Sequence, residues 1–304
     1  MKIYGVRILL AGLGLLLSRS LCDASETNTV LVCNNTRIKR YTVENGTWTL
    51  QSDFATVNNI DVIGGIASNG RRVFVSEDLY NAPSRILEYD RDGNYRRVLV
   101  TAPNSVEHLN MSQDGKWLYA SVGIWLADAA AIYRYDSVTG AGGLFIPNEG
   151  TNALGEVLWK FNVPRGLVED DDGALWISER TTGSVYKFDS AGTYLGKVTS
   201  LPNIQTLHYS SEDQKIYGVA NDDATYTLNT ATGVAVINTI AGLGARRGVT
   251  QIGGVLYSSP SEFIISYDLG LLTFSNVIAS VSGVKQIITL PSEPPLRGTL
   301  ILVR

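Results

Sequence analysis

The sequence predicts an all-β chain folded as a β-propeller of six four-stranded blades, and three observations carry that expectation. First, a phrase of aliphatic, aromatic, small and Ser residues recurs as Val73-Phe74-Val75-Ser76, Leu118-Tyr119-Ala120-Ser121, Leu175-Trp176-Ile177-Ser178 and Leu256-Tyr257-Ser258-Ser259. Ile216-Tyr217-Gly218-Val219 and Val30-Leu31-Val32-Cys33 are looser copies. Second, the steps from Leu31 through Phe74, Tyr119, Trp176 and Tyr217 to Tyr257 are 43, 45, 57, 41 and 40 residues, the period of a propeller blade with one insertion. Third, each copy carries the same neighbours. A Gly turn such as Asn69-Gly70, Asp114-Gly115 or Asp172-Gly173 precedes it, and a second alternating strand closing on Asp90, Asp136, Asp189 or Asp268 follows it.

The unit is therefore four consecutive antiparallel strands, which must stack on its neighbours to bury its faces. A β-sandwich explains short strands but not a period near forty residues. The N-terminus supplies only the later strands of its unit, and Val284 to Leu290 reads as an unpartnered inner strand, so joining the two ends closes a ring of six. Thr299 to Val303 stands about one further period on, which leaves a seventh, incomplete blade open as the alternative.

Lys2 and Arg7 before the apolar stretch Ile8 to Leu17 read as a signal peptide over residues 1–24, with cleavage after Ser20 or Ala24. The stretch is too short for a membrane span. Residues 25–304 then form one propeller domain in a secreted or extracytoplasmic protein, expected to be a monomer. If Cys22 survives cleavage it could pair with Cys33; otherwise Cys33 is a small buried hydrophobe. Sequons at Asn34, Asn45 and Asn110 could carry glycans in a eukaryotic secretory route. The formal net charge of −4 and the absence of a basic run exclude nucleic acid as a partner. No phosphate-cradling Gly loop, dinucleotide fingerprint or nucleophile elbow is present, so no nucleotide cofactor is expected.

The stretch Pro164-Arg165-Gly166-Leu167, Asp172-Gly173-Ala174-Leu175-Trp176-Ile177-Ser178-Glu179 and Val185-Tyr186-Lys187-Phe188-Asp189 resembles the repeat of NHL-type and virginiamycin-B-lyase-like propellers. More distantly the chain is similar to gluconolactonase-like six-bladed propellers, a superfamily that also holds strictosidine-synthase-like enzymes and fungal cyclases. The resemblance implies the fold. It also implies action on a small, partly apolar molecule in the central funnel by lactone hydrolysis, elimination or cyclisation. The alternative is a non-catalytic extracellular binding module for protein or glycan. A lactonase metal site would draw on Glu77 or Glu179 with Asn221 and Asp222, and a lyase site on a His and Glu pair with a metal, so a divalent cation is an open cofactor. The motifs that flank these residues in the families are absent here.

Loops after second strands and loops entering inner strands gather on one face of a propeller, which defines the candidates. Glu77 and Glu179 hold equivalent positions after the repeated Ser and could divide acid and base work; the bland reading is that each accepts hydrogen bonds from loop amides. Glu107 and His108 enter the third inner strand and could serve as base and ligand, although strict alternation lets only one of them face the site. Arg165, Arg247 and Lys285, with Arg246, could receive an anion or simply pair with the acids. Tyr80 and Trp125 lie on loops of the same face, and Trp125 belongs to an insertion (residues 124–130 and 145–161) that could form a lid or plug the channel. The acidic run Glu169 to Asp172 reads as a solvated hairpin turn.

Overall fold

The computed structural model describes residues 27–55, 62–123, 129–201, 203–222, 224–239, 246–260, 263–269, 271, 273–279, 281 and 284–291. Its strands form six four-stranded antiparallel sheets arranged as a six-bladed propeller. Blade 1 joins the two ends of the chain: its inner strand, Val284–Thr289, pairs with Asn28–Asn34, which continues to Ile38–Glu44 and Thr47–Ala55. Val30, Leu31 and Val32 stand opposite Thr289, Ile288 and Ile287, and the Leu290 amide donates to the Thr29 carbonyl at 2.8 Å.

Blades 2 to 6 are each continuous in sequence, and their inner strands are Ile63–Ser68, Val106–Met111, Pro164–Glu169, Ile204–Ser210 and Arg246–Ile252. Their second strands are Arg72–Glu77, Trp117–Val122, Leu175–Glu179, Lys215–Ala220 and Val255–Pro260. Each inner strand packs against that of the next blade, and that of blade 1 against blade 2, so the ring closes. Residues 299–303, and residues 1–24 with the signal-peptide reading and Cys22, lie outside the described residues. Cys33 is a buried free thiol on blade 1, pushed up to about 12 by burial.

The recurring aromatic has a physical reason. Phe74 packs into the core shared with blade 3 (Leu109, Leu118, Ala120), Tyr119 with blade 4, Trp176 with blade 5 and Tyr217 with blade 6. Tyr257 packs with blade 1, and Leu31 of blade 1 packs against Ile63, Ile66, Val73 and Val75 of blade 2. Alternation along the second strand sends this one side chain forward to the next blade and its two neighbours back to the previous one. The large ring at that position fills the wedge that opens between adjacent blades, where burial supplies most of the stability.

The turns behave as the sequence predicts: the carboxylates of Asp90, Asp136 and Asp189 each accept from two turn amides. The acidic run does not. Glu169 and Asp170 are buried, 8% and 2% exposed, because Asp170 accepts the Trp176 indole N–H at 2.8 Å while Glu169 accepts the Gln113 amide at 2.6 Å across the blade 3–4 boundary. The second part of the insertion, residues 145–161, forms a two-stranded hairpin, Glu149–Thr151 and Val157–Lys160. Its Trp159 stacks on Tyr194 and meets Phe188 edge-on on blade 4. Residues 124–128, Trp125 among them, lie outside the described residues.

Glycines set how closely the inner strands approach. A Cβ on Gly64 would lie 1.8 Å from the Val106 carbonyl oxygen of the next blade, whereas one on Gly143, on an outer strand, would meet nothing within 4 Å. Gly64→Ala is therefore expected to cost about 3 kcal/mol or more in urea unfolding, and Gly143→Ala no more than about 0.5 kcal/mol. Equal effects of the two changes would contradict the packing described.

Candidate functional site

Every inner strand carries a β-bulge at its entry. In blade 2 the register passes from Ile63 opposite Glu77 to Ile66 opposite Val75, so Gly64 and Gly65 face one residue. The same extra residue stands between Val106 and His108, Pro164 and Leu167, Ile204 and Thr206, and Arg246 and Val249, and at Lys285 in blade 1. A bulge frees an amide from the ladder and re-aims a side chain. The repeated Ser supplies the freed amide with an acceptor in two blades: Ser76 Oγ accepts the Gly65 N–H at 2.9 Å and Ser178 Oγ accepts the Gly166 N–H at 2.8 Å.

The re-aimed residues are Gly64, Glu107, Arg165, Gln205, Arg247 and Lys285, one from each blade. The last five, with His108, line a space of about 10 Å³ on the propeller axis. Glu107 Oε1 stands 3.0 Å from Arg165 Nη2, 3.5 Å from Arg247 Nη1 and 3.9 Å from Lys285 Nζ. Arg165 Nη1 donates to Gln205 Oε1 at 2.8 Å, and Lys285 Nζ reaches Asp78 Oδ2 at 3.1 Å. Glu107 is 7% exposed, and its Oε2 has no hydrogen-bond partner among the described residues. Burial lowers the Arg165 guanidinium to about 10, with Glu107 acting against that shift. The ring holds three converging cations against Glu107 and Asp78. It is suited to an organic anion, and Glu107 has one uncommitted acceptor oxygen.

Beneath this ring Gln286 ties three blades together, accepting the Ile66 amide at 3.0 Å and donating to the Leu109 carbonyl at 3.0 Å. His108 lies against it, and burial lowers its imidazole to about 3. Gly65, Gly166 and Gly248 take the corresponding position in alternate blades, where an added Cβ would press on Leu109, Leu207 and Ile287 of the next inner strand.

Of the candidates, the structure brings Glu107, His108, Arg165, Arg247 and Lys285 together. Glu107 and His108 both line the axial space, which corrects the expectation from strict alternation, because the bulge interrupts the alternation between them. Glu77 is held instead by Arg85 in its own blade, through the guanidinium and the backbone amide, the latter at 2.8 Å. Glu179 accepts from the amides of Asn162, Val163 and Thr181 and from the Thr181 hydroxyl. Tyr80 is 69% exposed and takes no part in the axial lining. Among the sequons, Asn45 lies in an exposed turn, Asn34 closes a turn by accepting the Thr36 and Arg37 amides, and Asn110 lines the channel.

A divalent cation does not fit this ring. Among the described residues no three His, Cys, Asp or Glu side chains converge, and the one axial carboxylate is surrounded by cations that repel a metal ion. Asp222 accepts the Ala224 amide within its own loop.

Gln286 and the alternating glycines escaped the sequence reading, yet a signal exists. The tetrads Ile63-Gly-Gly-Ile66, Val106-Glu-His-Leu109, Pro164-Arg-Gly-Leu167, Ile204-Gln-Thr-Leu207, Arg246-Arg-Gly-Val249 and Val284-Lys-Gln-Ile287 align position by position.

The chain has two histidines, and burial depresses His108 to about 3 and His208 to about 4 from an ordinary 6.5. The unfolded chain therefore binds more protons below pH 6.5, so stability is complete above that value and falls as pH drops toward the folded values. Near pH 5.5 unfolding is expected to take up about two protons, on the order of 2 kcal/mol per pH unit, and His108→Asn should remove about one of them. Denaturant unfolding across pH 5 to 7 measures this, and a flat profile would contradict it.

No protein-family model matches the chain, and no curated protein matches it in sequence. Solved structures do match in fold. A chain of a nidogen/laminin complex superposes with a TM-score of 0.70 at 16% identity over 88% of this chain and 100% of that one. A streptogramin B lyase gives 0.54 at 17% identity, covering 72% of this chain and 69% of that one, and virginiamycin B lyase from Staphylococcus aureus gives 0.51 at 15%, covering 82% and 73%. At these identities the matches establish architecture: the chain is a six-bladed propeller that resembles the lyase-type propellers in fold.

Proposed function

We propose that this protein is an exported propeller that binds a small organic anion at the mouth of its axial channel and acts on it with Glu107 as the base. The observation that carries the reading is the convergence of Arg165, Arg247 and Lys285 on a buried Glu107 whose Oε2 is uncommitted. Arg247, with a side chain 38% exposed, opens toward the face and receives the carboxylate. Glu107 Oε2 takes a proton from the carbon beside a carboxylate or carbonyl, and the electron pair left behind forms a double bond as a group on the next carbon departs. The flanking cations stabilise the negative charge that develops on the oxygen, in a site largely shielded from water. His108, neutral from burial, packs beneath and holds the ring in place. Elimination is favoured over hydrolysis by the likeness in fold to two lyases. Tyr80, exposed at the surface, is the candidate for contact with the rest of the molecule. Lys2 and Arg7 ahead of the apolar stretch Ile8 to Leu17 support the reading of an exported protein.

A second reading, a non-catalytic extracellular binding module, is favoured by the likeness in fold to a chain of the nidogen/laminin complex, over 88% of this chain and all of that one, and by the small space at the ring. Calorimetric titration of the purified chain with small hydroxy acids and their methyl esters separates the two, together with an assay for alkene formation. The carboxylates are expected to bind at least about tenfold tighter than their esters, and Glu107→Gln to lower turnover by about 10² to 10⁴ while binding survives. Equal affinity for acid and ester would overturn the anion site. Binding without turnover would leave the binding module.

A further inference from the structure

The inner strands enclose a second compartment on the far side of the Gln286 crosslink, away from the charged ring. It has a volume of about 280 Å³, just below the usual range of small-molecule pockets, and strands of five blades contribute to its wall. We propose that this compartment is a second ligand site, separate in chemistry from the ring, which takes one neutral polyhydroxy molecule of monosaccharide size.

The lining selects that class. Thr206, Thr250 and Thr289 of blades 5, 6 and 1 line it, the Thr250 and Thr289 hydroxyls 3.4 Å apart in a long mutual contact that a ligand hydroxyl can replace, and Gln251 and His208 stand in the same wall. Among the described lining residues there is no Lys or Arg, so they offer an anion no counter-charge. Glu169 is the acid in the wall, and its oxygens are committed to the Gln113 amide at 2.6 Å and the Tyr119 hydroxyl at 3.3 Å. His208 Nε2 accepts the Gln251 amide at 3.2 Å, which puts the proton of the neutral ring on Nδ1. That leaves Nδ1–H as the donor of a ring that also feels the Asp213 carboxylate. Burial keeps both histidines neutral at physiological pH. Side chains of Val249 and Ile287 give an apolar flank, which suits the C–H face of a sugar ring. A neutral molecule with several hydroxyls satisfies donors and acceptors together without bringing an unpaired charge into the channel.

The two compartments differ in charge, so their ligands should be distinguishable by one set of variants. The full chain is titrated with D-glucose, D-xylose and myo-inositol, and with gluconate as the anionic counterpart, following calorimetric heat and the rise in unfolding midpoint. At least one neutral compound is expected to bind saturably. Thr250→Val and His208→Gln should each weaken that binding by about tenfold or more, and Glu107→Gln should leave it unchanged. Circular dichroism and the midpoint of each free variant show whether it folds, and near-isosteric Thr250→Val keeps the test valid if His208→Gln does not. The proposal is overturned if no neutral compound binds below about 100 mM. It is equally overturned if Glu107→Gln abolishes neutral binding while Thr250→Val does not, or if gluconate alone binds and Thr250→Val weakens it. Failure of the anion site at the ring would leave this result untouched, because Glu107 takes no part in it.

Discussion

Six inner strands must pass close to one axis, and the bulge at the entry of each is how the backbone meets that constraint. At the axis there is no space for a regular pleat with side chains on both faces, so the ladder breaks for one residue and the chain turns. Three consequences follow in the same short segment. Glycine stands at the second bulge position in blades 2, 4 and 6, where a Cβ would strike the neighbouring strand. Ser76 and Ser178 pair with amides released from the ladder. A side chain that alternation would have hidden or exposed is directed at the axis instead. The geometry that closes the ring thus also builds the polar centre.

That centre is costly. Burying Glu107 among Arg165, Arg247 and Lys285 removes several charges from water, and mutual attraction offsets such a cost only where the contacts are close and the remaining polar atoms are satisfied. Here the guanidinium of Arg165 is anchored by Gln205 and the ammonium of Lys285 by Asp78, but Glu107 Oε2 is left without a partner among the described residues. An apolar plug would hold the blades together as well or better. A charged ring with one acceptor in reserve is an arrangement suited to binding, and it is the reason function is proposed there rather than at Glu77 or Glu179, whose oxygens are occupied within their own blades.

The blades were legible in the sequence because their signals repeat: the aromatic that fills the wedge between blades, the Gly turns and the capping aspartates each recur with the period of the fold. The pairing of the chain ends was legible for the same reason, since Val284 to Leu290 had no partner in its own unit. The site was legible as a set of positions and only partly as an arrangement. Reading strands as strictly alternating separated Glu107 from His108, and equivalence of sequence position made Glu77 and Glu179 look like a pair across the funnel. The first inference fails at the bulge, a register feature that composition does not mark, although the aligned tetrads would have marked it; the second fails because Arg85 holds Glu77 and loop amides hold Glu179. The burial of Glu169 and Asp170 depended on partners in another blade and in the following strand, Gln113 and Trp176, which no local pattern announces.

The central claim, that bulge residues of different blades act as one electrostatic unit on the axis, is tested most directly by a double-mutant cycle. Glu107→Gln and Arg247→Gln are made singly and together, and stability is measured by urea unfolding at neutral pH. The account predicts a coupling energy of about 1 kcal/mol or more between two residues that lie on blades 3 and 6 and meet only at the axis. Additivity to within about 0.5 kcal/mol would contradict it.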